Sequence, residues 1–192
     1  MFKFDQGSNM TFQSGQGWAL VWGGPQAESA TGIVVDSSSV YVCGSSNSLG
    51  SLSVGSFDIF LLKIDALRGV LEWALRMGGA GSDIANGIAV LGGTVYMVGQ
   101  SATWSSGKTD MVFISVNPAA EPVAVNWAAS LGGAGDDIAV AIAGNSADNS
   151  LYALGYGDTP ALSSGSFDVY VIRYATDGTL TYLVTLGGSN TD

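Results

Sequence analysis

Short apolar segments, each flanked by Gly, Ser, Asn or Asp, follow one another along the chain, and they recur in a fixed order. The first kind is small and apolar: Gly32-Ile33-Val34-Val35, Gly87-Ile88-Ala89-Val90 and Ala141-Ile142-Ala143. The second is Val40-Tyr41-Val42-Cys43-Gly44, matched by Val95-Tyr96-Met97-Val98-Gly99 and Leu151-Tyr152-Ala153-Leu154-Gly155. The third opens on an aspartate, as in Asp58-Ile59-Phe60-Leu61-Leu62-Lys63, with counterparts starting at Asp110 and Asp168. The fourth runs over 71–77, 125–131 and 180–186. Each has strand length, is rich in β-branched and aromatic residues, and is bounded by turn formers. A helical reading fails because no segment holds an apolar 3.6-residue period over three turns, and Gly recurs too often.

The order is periodic. Trp18, Trp73 and Trp127 each precede a Gly-Gly pair by five residues, and Tyr182 stands in the same register before Gly187-Gly188; the steps are 55, 54 and 55 residues. A period of that size signals one supersecondary unit copied in space. Four short antiparallel strands per unit is the arithmetic of a β-propeller blade, in which stacked, twisted sheets bury both faces of each other. The expected fold is therefore all-β, a partial propeller of three four-stranded blades, with the Gly- and Ala-rich first strand innermost. The expected units are 18–72, 73–126 and 127–181, with 1–17 ending a preceding blade and 182–192 beginning a fourth. Gly-Gly is expected to serve as a φ-permissive link between blades.

The run Trp73-Ala74-Leu75-Arg76-Met77-Gly78-Gly79-Ala80-Gly81-Ser82-Asp83, followed by Gly-Ile-x-Val, Val-Tyr-x-x-Gly and Asp-x-Phe-x-x-Lys, resembles the bacterial seven-bladed β-propeller repeat. Phe167 to Arg173 agrees with it too, and the resemblance covers nearly the whole chain. It implies a propeller within a larger secreted or cell-surface protein, with no shared enzymatic activity. The first unit departs from the pattern, since Pro25-Gln26-Ala27-Glu28 replaces the Ala-Gly-x-Asp loop. Kelch blades also carry Gly-Gly, but their Trp follows it.

Residues 2–5 read as the tail of a third strand and 12–22 as a fourth, so two leading strands precede three full units. Three blades and two strands do not close a ring, and open faces and edges invite association. A fragment of a longer propeller and a chain that closes by self-association are both consistent with this count, the fragment being the simpler.

Composition narrows the function classes. Of 192 residues 47% are apolar and 11% charged, outside the regime of disordered chains. Net charge is −10 with six basic residues, so the basic stripe that nucleic acids require is missing, and anionic membranes are disfavoured. No apolar run is long enough to insert in a bilayer, and the N-terminal residues show no secretory pattern. The chain has no histidine, which removes Ser-His-Asp and Cys-His catalysis and His-ligated zinc. The lone Cys43 aligns with Val98 and Leu154, the mark of a buried apolar slot.

No catalytic, metal or cofactor residue is expected. Asp83, Asp136 and Asp137 lie in Gly-Ala-Gly-Ser-Asp and Gly-Ala-Gly-Asp-Asp sequences. Carboxylates there can bind calcium or sugar hydroxyls, but accepting hydrogen bonds from turn amides is the favoured reading. Asp58, Asp110 and Asp168 recur once per unit, which argues for capping or for pairing to a neighbouring blade. Trp104 has no aromatic counterpart and lies in the Ser/Thr-rich loop 100–108, which makes it the best candidate for ligand contact. That loop joins the same strand pair as 45–56 and 158–166, so the three should share one face. The expected function is a non-catalytic scaffold or binding module for protein or glycan. The alternative is part of a propeller lyase or hydrolase with its site in the central funnel.

Overall fold

The computed structural model describes residues 17–48, 56–163 and 167–188. The readings at 2–5, 12–16 and 189–192, and those on residues 49–55 and 164–166 of the loops, lie outside them. Among the described residues the regular structure is all strand, arranged as three antiparallel four-stranded sheets that do not close on one another. Sheet one is β1 (Glu28–Asp36), β2 (Ser39–Ser46), β3 (Asp58–Asp65) and β4 (Leu71–Met77). Sheet two is β5 (Asp83–Leu91), β6 (Thr94–Ser101), β7 (Asp110–Asn117) and β8 (Ala124–Leu131). Sheet three is β9 (Asp137–Asn145), β10 (Ser150–Gly157), β11 (Asp168–Ala175) and β12 (Leu180–Leu186). Within each sheet the strands lie in chain order, as tight turns dictate. The β5–β6 turn, Gly92-Gly93, takes positive φ at both residues, as a type I′ hairpin turn requires.

The second, third and fourth strands fall where the apolar segments place them. The first strand starts earlier than its apolar run, at Glu28, Asp83 and Asp137. The strand carries a β-bulge: Thr31, Asn86 and Val140 are each an extra residue, and past it the side chains switch faces of the sheet. A period-two reading loses the strand at that point. Residues 17–22, the described part of the strand expected over 12–22, pair in no ladder among the described residues and lie against sheet one through side chains.

The sheets stack face to face in chain order. We call the face toward the following sheet trailing and the other leading. Between sheets one and two lie Tyr41, Cys43, Ile59 and Leu61 against Val95, Met97, Val112 and Ile114. Between sheets two and three, Tyr96, Val98, Met111 and Phe113 meet Leu151, Tyr170, Ile172 and Tyr174. The first strands approach closely: β5 packs against both β1 and β9. Small residues make this possible, since a Cβ on Gly32 would stand 2.9 Å from Ile88 Cγ2 and one on Gly87 3.1 Å from Ala141 Cα. The bulge side chains clamp the stack: Thr31 Oγ1 donates to Ala85 O at 2.5 Å and Asn86 Nδ2 to Ala139 O at 2.9 Å. Cys43 is fully buried at the first junction, and burial pushes its thiol up to about 11, so it is an inert core residue.

Candidate functional site

Each junction begins with an acidic side chain at the first position of a first strand. Asp83 is fully buried, and its carboxylate accepts from Ser101 Oγ, from Thr103 Oγ1 at 2.7 Å and from the Gly79 N–H at 3.0 Å. Asp137, also buried, accepts from Thr159 Oγ1 and from the Gly133 N–H at 3.2 Å. In the first unit the longer Glu28 reaches Ser46 Oγ at 3.1 Å, so the divergent Pro-Gln-Ala-Glu loop keeps the device. The hydroxyls of Ser48, Thr103 and Thr159 in turn accept from the N–H groups of Gln26, Gly81 and Gly135, at 2.8, 2.9 and 3.2 Å. The backbone repeats as well: the Asp83 and Asp137 N–H groups donate to Phe57 O and Thr109 O of the preceding sheet, both at 2.7 Å. Burial holds the Asp137 carboxyl above the usual range despite these donors.

Of the second aspartate series, Asp58 and Asp110 pair within their own sheet rather than to a neighbouring one. Asp58 forms an ion pair with Arg76 on β4, although burial outweighs the guanidinium and raises its pKa. Asp110 accepts from the Ser106 N–H at 2.9 Å and from Ser106 Oγ at 3.0 Å. Opposite each lies the first glycine of a Gly-Gly pair. A Cβ on Gly78 or Gly187 would overlap the Asp58 or Asp168 carboxylate, and one on Gly132 would stand 2.5 Å from Asp110 Oδ1. The second glycine makes room for the hydroxyl residue: a Cβ on Gly79 would stand 2.5 Å from Thr103 Cγ2. Gly23 of the first pair takes a φ of 155°, as the expected φ-permissive link requires, but Gly78, Gly79, Gly132, Gly133 and Gly187 have no positive φ, so the later pairs supply space instead.

Trp104 lies in the loop between β6 and β7, 41% exposed, on the rim of a cleft of about 270 Å³ lined by Val112, Ile114, Ala128, Ala129 and Ser130. The loop is held from several sides. Ser101 Oγ, the donor to Asp83, accepts from the Trp104 N–H at 2.9 Å. Ser106 is tied to Asp110, and Lys108 Nζ reaches Asp136 Oδ2 of the following unit at 3.2 Å. Gly107 packs so closely on the Gly133–Ala134 backbone that a side chain has no room.

The four candidates of the sequence thus divide by role. Asp83 and Trp104 are linked through Ser101, Asp136 anchors the same loop, and Asp137 belongs to the junction network of Thr159. Sequence reasoning missed Ser101 and Thr103 as supports of the loop, although the recurrence of a hydroxyl at Ser48, Thr103 and Thr159 carries that signal. Among the described residues no group of three or more acidic or Cys side chains is placed to hold a metal ion. Among those residues no helix is long and apolar enough to cross a membrane either. Comparison of the chain with protein-family models gives no match, and comparison with curated proteins gives none either.

Proposed function

We propose that this chain is a non-catalytic repeat scaffold, its three sheets being blades of a β-propeller, which binds protein or glycan through Trp104 and the loop that carries it. Stacking in chain order, with small-residue first strands in closest contact, supports the radial arrangement. The first-strand carboxylates Asp83 and Asp137 are engaged at the junctions between sheets, which fits a framework. Trp104 breaks that repetition and carries the reading: a large, half-exposed aromatic stands on a loop pinned at Ser101, Asp110 and Asp136, beside an apolar cleft. A ring fixed before binding loses little entropy on contact, and its flat apolar face suits a sugar ring or a peptide side chain.

Titration against immobilised glycans and candidate surface proteins tests this. Trp104→Ala is expected to abolish capture while the melting temperature stays within about 2 °C, since the ring is not part of a sheet core. Capture by the variant equal to that of the unmodified chain would overturn the assignment.

A further inference from the structure

Among the described residues the stack has two open faces, and they are the two halves of an interface the chain builds twice internally. On the trailing face of sheet three Leu154 is 43% exposed, whereas Cys43 and Val98, its counterparts in register, are buried beneath the following sheet. Tyr182, Val184 and Leu186 are exposed there too, while Trp73, Leu75 and Met77 in the same places pack into the first junction. On the leading face of sheet one Ile33 is 68% exposed; its counterpart Ile88 packs on Gly32 inside that junction. What covers a trailing face in this molecule is a leading face, and the chain exposes one of each.

The leading face of sheet one is covered in part by residues 17–22. Trp18 Nε1 donates to Ala66 O at 2.9 Å, as Trp127 Nε1 does to Thr176 O across the second junction. The Trp22 ring lies 4.7 Å from that of Phe60. Trp18, Leu20 and Trp22 therefore occupy the places that Trp73, Leu75 and Met77 take one junction later, but no ladder among the described residues holds them.

We propose that a second copy of this chain docks the trailing face of its third sheet on the leading face of the first, displacing residues 17–22, so that Tyr182 takes the place of Trp18 beneath the turn at Ala66. The contact is heterologous, leaving one open face at each end, and growth continues until a ring closes. Arg173 does not oppose it: it lies over the Tyr152 ring and pairs with Asp148 at 3.1 Å, and Lys63 in its place is tolerated at the first junction. Val140 replaces Thr31 and Asn86 and cannot supply their clamp to a facing carbonyl, so this junction is weaker than the internal ones and reversible.

Sedimentation across a concentration series decides the matter. The unmodified chain is expected to associate reversibly, and the Trp18→Ala/Trp22→Ala variant to do so at about tenfold lower concentration, because its competitor is weakened. Ile33→Arg and Leu154→Arg, at exposed positions that spare the fold, are each expected to stay monomeric. Mixed, they should form a 1:1 heterodimer, since each keeps the face the other has lost. Dimers of Ile33→Arg alone would show a trailing-to-trailing contact and overturn the proposal, as would a mixture that stays monomeric. An unchanged midpoint after the Trp substitutions would overturn the role of residues 17–22. If the double Trp variant does not fold, the mixing experiment, which leaves that segment intact, decides alone.

Discussion

A carboxylate buried at the mouth of a strand needs both donors and room, and in this chain the two come from different residues. Arg76 or Ser106 supplies donors to Asp58 or Asp110, and the glycine opposite supplies the room. Gly78→Ala therefore places a methyl group inside the Asp58 carboxylate, which is packed too tightly to yield without disturbing the ion pair with Arg76. The expected cost is about 1–3 kcal/mol by urea denaturation, the range of an overpacked core site. Gly17→Ala is the control: a Cβ there meets nothing within 4 Å, and the change should stay within about 0.5 kcal/mol. Equal effects at the two positions would assign the glycines a purely conformational role. The recurrence of Asp58, Asp110 and Asp168 already told from the sequence that their role is structural. Their partners were not legible, because Asp58 meets Arg76 only once two strands have folded beside each other.

At the level of the strand, the same sequence position has different worth depending on what covers it. Trp127 donates its indole N–H to Thr176 O, packs on Gly178, and lies near the rings of Tyr96 and Tyr174, both at 6.1 Å. Gly178 takes a φ of 92°, and its missing side chain lets the indole approach the turn. Tyr182 fills the corresponding slot of sheet three, which no further sheet covers among the described residues, and is 40% exposed. Trp127→Ala is expected to lose at least about 2 kcal/mol, and Tyr182→Ala less than about 1 kcal/mol, by chemical denaturation of dilute protein. Equal losses would mean that the residue acts within its own sheet and not across the junction. The four strands per unit were legible because each carries its own apolar run between turn residues. The bulges at Thr31, Asn86 and Val140 were not, since an extra residue in a ladder changes register without changing composition.

For the molecule as a whole, sixteen acidic against six basic residues leave a net charge of −10, which repels itself more strongly in the compact state than in the unfolded one. Two buried carboxyls act in the same direction. Burial raises the pKa of Asp58 and Asp137 above the ordinary value, so the folded chain holds their protons more tightly than the unfolded chain. Their contribution to stability is full below the ordinary carboxylate value and is lost as pH rises through the raised one. Asp65, Asp148 and Asp177 run the other way: exposed and held low by hydrogen bonds to Arg68, Ser150 and Thr179, they lose their contribution only as pH falls below the ordinary range. The melting temperature should therefore climb as pH falls from neutrality, pass through a maximum near the ordinary carboxylate pKa of about 4, and drop below it. Salt separates the two causes on the neutral side. At about 1 M salt the Debye length is near 3 Å, so surface repulsion is screened while a buried carboxyl is not. Calorimetry at high salt is thus expected to retain a reduced slope between pH 4 and 7, and Asp137→Asn to flatten it further. A slope that vanishes entirely in salt would assign the whole pH dependence to surface charge, and a melting temperature highest at neutral pH would contradict both causes.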